Sequence, residues 1–350
     1  MTTASPVSPA SARIRSAALD AVRRWRVVRA FDAALLYGSA AWGDADDGSD
    51  ADVMLLYDRG DQWTEVTRLR DDTAEPALSF DVVHASWPAF AHGVAGGWWL
   101  ARLAAGVVLW DGDQRLAQMS AEAQAAWSDP RARAARADQA TGHAPEPGTD
   151  AAAGDAWYLA VVAAAQAVLL AHGVPPSGHH LLGRLQGVAG EAAVHALIAG
   201  AGLPRTGAAA AERHAAAVCL LRWARGVADG PRPDLSEAQT QMIRFALSAE
   251  TESAVETAAQ AWRVRRAWAQ WGLASRDLAR IAVLRNVAPL LAVRPEPAAL
   301  GAWLCANAPR LAPLWWEALG LAAWTPSDLA ESREARRQLA GWAREGVGAG

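Results

Sequence analysis

The fold is decided by residues 35–58, LLYGSAAWGDADDGSDADVMLLYD. This stretch predicts a strand, a Gly-Ser turn into a short helix, an acidic loop and a second strand. Side chains two positions apart on a strand lie on one face, so Asp50 and Asp52 place two carboxylates side by side. Two carboxylates this close raise each other's pKa unless a cation lies between them. A hard divalent ion such as Mg²⁺ suits the pair, because it prefers oxygen ligands and also takes phosphate oxygens.

The turn and a later carboxylate extend this pattern. Gly38 permits an unusual backbone angle, Ser39 supplies a hydroxyl, and backbone N–H groups at such a turn suit an anion. Asp81 interrupts the apolar run 78–84, LSFDVVH, which predicts another strand. An ordinary solvated turn before a buried strand would explain the acidic residues 44–47. It does not explain Asp81, because an unpaired charge in a buried strand is costly.

Gly38-Ser39, ten intervening residues and Asp50-Ala51-Asp52 resemble the signature of the DNA polymerase β-like nucleotidyltransferase superfamily, with Asp81 as the third carboxylate. The resemblance covers residues 35–84, roughly a seventh of the chain. It implies that Gly38 and Ser39 hold the triphosphate of ATP or another NTP. It also implies that Asp50 and Asp52 bind two Mg²⁺ ions, and that Asp81 binds the catalytic one and helps to activate the acceptor.

The resemblance implies transfer of NMP, with AMP from ATP as the leading case, to a hydroxyl acceptor with release of pyrophosphate. A small-molecule acceptor is the first interpretation, because the domain order resembles that of the aminoglycoside nucleotidyltransferases. An antitoxin-like enzyme that modifies protein or RNA is the second, and a non-catalytic binding module that keeps the fold is the third. Glu146, Asp155 and Glu191 are candidates for a general base from the helical region. A homodimer, as in some members of the superfamily, is left open.

The composition narrows the functional classes. The 350 residues are 52% hydrophobic and 20% charged, which is typical of a soluble protein with two or three domains. No apolar run approaches the ~20 residues that span a bilayer, and the N-terminus lacks a leader-like apolar stretch, so we expect a cytoplasmic protein without membrane contact. The net charge of −4 argues against a general nucleic-acid binder. All 33 basic residues are arginine, so any cationic contact to a triphosphate comes from arginine.

We predict an α+β fold in which a small mixed sheet is followed by an all-helical C-terminal region. The predicted strands cover residues 31–37, 52–57, 77–84 and 107–110, and a polar helix is predicted over 61–72. A surface role is the first interpretation of its Arg68 and Arg70, and an approach to the nucleotide is the second. Cys219 and Cys305 are expected to be buried, inert thiols. The eighteen tryptophans are interpreted as core residues or as an aromatic wall for a stacked base. The predicted domains are an N-terminal tail and helix (1–30), a nucleotidyltransferase domain (31–127), a linker or loop (128–150) and a helical domain (151–350), whose division into 151–230 and 236–350 is left open.

Overall fold

The protein has an α+β architecture and divides into two compact units, Met1–Ala132 and Arg133–Gly350. The computed structural model describes residues 7–71, 77–97, 99–142, 154–177, 180–228, 247–287, 303–320 and 325–348.

The first unit contains one five-stranded mixed sheet. In chain order its elements are α1 (Pro9–Val28), β1 (Ala33–Tyr37), α2 (Gly38–Trp42), β2 (Ala51–Tyr57), β3 (Thr64–Asp71), β4 (Leu78–Ser86), α3 (Trp87–Ala95), α4 (Leu100–Ala105), β5 (Val107–Asp111) and α5 (Arg115–Ser128). The strand order across the sheet is β3-β4-β2-β1-β5. β2 and β4 run parallel, and the other neighbouring strands run antiparallel. The strands predicted from the apolar runs correspond to β1, β2, β4 and β5.

Both faces of the sheet are covered by helices. On one face, α1 packs through Ile14 and Val22 against alternate strand residues such as Leu55. On the other face, α3, α4 and α5 pack through residues such as Phe90 against the intervening strand residues, among them Met54. This two-sided burial explains why β2 reads as a continuous apolar run instead of an alternating one.

The helix predicted over residues 61–72 is wrong. Trp63, Val66 and Leu69 recur at three-residue steps, which suits a helix, yet residues 64–71 form the edge strand β3. β3 pairs with β4 along its whole length, from Thr64 opposite Ala85 onward. Several β-branched residues favour a strand here, and the hydrogen bonds to β4 decide between the two patterns.

The regular elements described beyond β5 are all helices. They are α5, a helical segment at residues 303–307 and, in chain order, α6 (Pro130–Gly142), α7 (Gly154–Ala171), α8 (Leu181–Gly200), α9 (Gly207–Ala228), α10 (Ala249–Arg265), α11 (Trp268–Val287), α12 (Ala312–Leu319) and α13 (Pro326–Gly348). One apolar cluster joins α7, α8 and α13. A second cluster joins α9, α11 and α12 and fully buries Trp315. None of the helices described combines the length and hydrophobicity that a membrane crossing needs.

Two further expectations are corrected here. The loop expected over 128–150 contains α6, which begins after Asp129, whose carboxylate accepts the N–H of Ala132 at 2.8 Å, and which has Pro130 at its first position. Residues 143–150 lie outside the described part of the chain. Cys219, on α9, and Cys305, in the helical segment 303–307, are exposed and not buried.

Candidate active site

The sheet brings the three predicted carboxylates together. In the parallel pair of β2 and β4, Asp52 lies directly opposite Asp81. Asp50 precedes Asp52 by two residues, and its charge acts on the same group. Tyr37, the last residue of β1, lies opposite Asp52 on its other side. The carboxylates therefore cluster where β1 ends and β2 begins, on the sheet face that α3, α4 and α5 cover.

The Gly-Ser turn presses directly against this cluster. Gly38 has φ +72°, a left-handed conformation that L side chains rarely adopt. A Cβ atom at this position would lie 2.0 Å from Oδ2 of Asp52, so the close approach also requires glycine. Ser39 follows in the first turn of α2 and is partly exposed. The structure thus places Gly38 against Asp52, with Ser39 next to it in the chain.

Helix α1 holds the turn in place. The Nε and Nη2 atoms of Arg15 donate to the carbonyl oxygens of Ala40 (2.9 Å) and Ala41 (2.7 Å) in α2. The hydroxyl of Ser11 accepts the N–H of Ala45 at 2.9 Å. The helix that the sequence placed outside the domain therefore orients the turn that borders the carboxylates.

The acidic loop after α2 stabilises itself. The carboxylate of Asp46 accepts the N–H of Gly48 at 3.0 Å and the hydroxyl of Ser49 at 3.1 Å, as in a turn closed by an Asp side chain. Asp47 is exposed and lies 3.6 Å from Arg13. The interpretation of this loop as a solvated turn accounts for these two acidic residues.

The carboxylate cluster carries an unfavourable concentration of negative charge. The pKa of Asp52 is raised to about 8, first by burial and then by the charges of Asp50 and Asp81, while the charges of Arg102 and Arg68 act in the opposite direction. Burial and the charge of Asp81 also raise the pKa of Asp50. Two neighbouring acidic groups that resist ionisation are typical of a site that binds a cation or handles protons.

One arginine forms a two-pronged ion pair with the third carboxylate. Nε of Arg68 donates to Oδ1 of Asp81 at 2.7 Å, and its Nη2 donates to Oδ2 at 2.9 Å. Arg68 lies directly opposite Asp81 in the pairing of β3 with β4. The prediction of a surface role for Arg68 is therefore wrong, and it followed from reading its strand as a helix.

A second arginine approaches from helix α4. The exposed guanidinium of Arg102 lies 4.6 Å from the ring centroid of Trp99 and 5.6 Å from that of Tyr37. Its charge lowers the pKa of Asp52 against the effect of burial. Trp99 packs edge-on against Tyr37, so an aromatic surface with a cation borders the carboxylates. The sequence offered only the tryptophan excess as a signal for this feature.

Two of the other titratable candidates have partners of their own. His84 is buried and engaged at both ring nitrogens, by the hydroxyls of Tyr57 (2.8 Å) and Thr67 (3.0 Å). Glu191 is exposed on α8 and lies 3.6 Å from His195. Glu146 and the side chain of Asp155 lie outside the described part of the chain.

The donor chemistry fits a divalent cation only in part. Asp50 and Asp52 are partly buried carboxylates that repel each other, which a hard cation would relieve. Across the described ranges, however, no group of three or more His, Cys, Asp or Glu side chains is arranged to hold a metal ion. Both carboxylate oxygens of Asp81 already accept hydrogen bonds from the guanidinium of Arg68.

Comparison with protein-family models and with curated proteins finds no match for the chain. The resemblance to the nucleotidyltransferase superfamily therefore rests on the motif residues alone.

Proposed function

We propose that the chain is a metal-dependent nucleotidyltransferase of the DNA polymerase β-like type. It would transfer NMP, with AMP from ATP as the leading case, to a hydroxyl acceptor and release pyrophosphate. One observation carries the proposal: Asp52 and Asp81 face each other on parallel neighbouring strands, and the glycine turn presses on Asp52. An acidic turn that merely precedes a buried strand would not require a second strand to present a carboxylate at the same level.

The residues of the cluster have distinct roles in this proposal. Asp50 and Asp52 would hold the two Mg²⁺ ions, and Asp81 would complete the site of the catalytic ion. When bound, the ions offset the negative charge of the phosphates and lower the pKa of the acceptor hydroxyl. Gly38 lets the backbone approach the triphosphate closely, and Ser39 offers it a hydroxyl. These assignments follow the motif of the superfamily, residue by residue.

The surroundings of the cluster supply binding groups that the motif does not include. Arg102 is an exposed cation beside Asp52, and a chain without lysine must meet a triphosphate with arginine. Tyr37 is buried, and burial followed by the charge of Asp52 raises its pKa, so it stays a neutral phenol. Trp99 presents a partly exposed aromatic ring next to it, which suits stacking of a flat group.

Calorimetry with ATP and Mg²⁺ tests the proposal directly. Wild type should bind, and Asp50→Asn and Asp52→Asn should each lower the affinity at least tenfold, because each removes a charged oxygen ligand. Asp61→Asn is the matched control, since Asp61 is exposed and pairs only with Arg59 among the ion pairs described. The absence of binding by wild type, or equal binding by the Asp50 and Asp52 variants, would refute the function.

For the acceptor we propose a small molecule first; the second candidate is a protein or RNA acceptor, which would make the chain an antitoxin-like nucleotidyltransferase. The ion pair of Arg68 with Asp81 favours one different class, a non-catalytic module that keeps the fold. An arginine that permanently neutralises Asp81 would remove the need for a metal there. Such a module would bind Mg²⁺ equally weakly in wild type and in Asp52→Asn.

A further inference from the structure

We propose that Arg68 is a built-in counter-ion that occupies Asp81 until a divalent cation takes over that carboxylate. The inference rests on the proposed function and adds a step to it, in which the guanidinium is exchanged for the metal. In the metal-free protein, the ion pair would offset part of the repulsion among the three carboxylates.

The geometry shows that the ion pair is built into the sheet. Arg68 and Asp81 are directly opposed across β3 and β4, so the strand pairing itself brings them together. The two donated hydrogen bonds, at 2.7 and 2.9 Å, form the parallel fork that arginine makes with a carboxylate. The two side chains are only 23% and 21% exposed, so solvent screens the pair less than it screens a surface ion pair.

The charges around the cluster predict how the loss of Arg68 changes the affinity for a divalent cation. Arg68 is bonded to Asp81 and acts electrostatically on Asp50 and Asp52, and Arg102 acts on Asp52. A divalent cation that enters between the carboxylates is repelled by Arg68 and competes with it for Asp81. Removing the guanidinium therefore removes both a repulsive charge and a competitor.

A purely orienting role for Arg68 predicts the opposite result. A carboxylate has about four lone-pair positions, so a fork that uses two of them leaves room for a metal. If Arg68 only held Asp81 in the right orientation, its loss would loosen that carboxylate and weaken metal binding. The sign of the change in metal affinity therefore separates exchange from orientation.

Binding of Mn²⁺ alone, followed by electron paramagnetic resonance without nucleotide, provides the test. We expect Arg68→Gln to bind Mn²⁺ at least tenfold more tightly than wild type. Arg68→Lys should fall between them, because lysine keeps the charge and loses the fork. Arg23→Gln is the matched control, with the same change in net charge at an exposed pair on α1. Equal or weaker binding by Arg68→Gln would overturn the inference.

The effect of Mn²⁺ on thermal unfolding supplies a second readout, because the loss of a merely structural ion pair would lower the melting temperature equally with and without the metal. In EDTA, Arg68→Gln should melt below wild type, because three carboxylates lose a counter-ion. With saturating Mn²⁺ the difference should close or reverse, since ligand binding stabilises the folded state. An unchanged difference would count against exchange.

Asp52→Asn separates a failure of this inference from a failure of the proposed function. If it abolishes Mn²⁺ binding while Arg68→Gln leaves the affinity unchanged or lower, this inference fails and the proposed metal site stands. If wild type, Arg68→Gln and Asp52→Asn all fail to bind Mn²⁺, the proposed function and this inference fail together.

Discussion

Replacing Asp52 by asparagine should change how the stability of the metal-free protein depends on pH. In the folded state the pKa of Asp52 is about 8, whereas its ordinary value is 3.8. Below the ordinary value, both the folded and the unfolded chain carry the proton. Between the two values only the folded chain keeps it, so stability falls as pH rises through this window. Above pH 8 the carboxylate is ionised in both states, and the folded state is then destabilised by the full free energy of ionising the buried group.

The size of this cost follows from the same two values. One pKa unit corresponds to about 1.4 kcal/mol, so ionisation of Asp52 destabilises the folded state by roughly 6 kcal/mol. Asparagine has nearly the shape of the protonated acid and no charge. Asp50 keeps its own raised pKa beside Asp81, so part of the repulsion remains in the variant. We therefore expect Asp52→Asn to be more stable than wild type at pH 9 by roughly 3 kcal/mol.

Urea unfolding in EDTA from pH 4 to pH 9 provides the measurement. The wild-type free energy of unfolding should fall across this range, and that of Asp52→Asn should fall less. Asp61→Asn, at an exposed ion pair, should follow wild type. Parallel curves for wild type and Asp52→Asn would refute the electrostatic reasoning. Added Mg²⁺ should raise the stability of wild type at pH 9 and leave that of Asp52→Asn nearly unchanged, because the cation needs the carboxylate.

Three further substitutions test the packing around the site and in the second unit. Gly38→Ala should cost about 2–3 kcal/mol in urea unfolding, since its Cβ would collide with Asp52, whereas Gly60→Ala, with nothing within 4 Å, should cost less than 1 kcal/mol. Arg15→Met should cost about 2 kcal/mol and weaken ATP binding, because two carbonyls of α2 lose their donors; unchanged affinity would contradict a link between α1 and the turn. Trp315→Ala should lower the thermal stability of the second unit by about 3–5 kcal/mol, which calorimetry resolves, and a smaller loss would contradict its full burial.

The carboxylates of the site were predictable because their signal is local. Alternation along a predicted strand was enough to group Asp50 with Asp52, although Asp50 lies just ahead of β2, and Asp81 stands out as a charge within an apolar run. The parallel register that aligns Asp52 with Asp81 is not local, since it depends on the pairing of strands far apart in the chain. The sequence predicted the members of the cluster, and only the fold supplied their alignment.

The arginines were missed for a related reason. Arg68 lies in a segment whose three-residue apolar spacing favours a helix, and hydrogen bonding to β4 overrides that preference. Arg15 contacts carbonyls 25 and 26 residues away, a distance at which no sequence periodicity applies. The helix α6 was missed because the proline and arginine content of its segment was interpreted as a loop, although Pro130 occupies the first helical position where proline is well tolerated.

The contacts of helix α1 decide where the chain can be shortened. Ile14, Ala18 and Val22 are fully covered, and removing the first 30 residues would bare one side of the sheet to water. Such a fragment would expose an apolar surface that promotes aggregation. It would also lose the hydrogen bonds from Arg15 that hold the Gly-Ser turn. An expression fragment of the sheet unit should therefore begin ahead of Ser8, whose hydroxyl caps the helix, and carry any purification tag upstream of it.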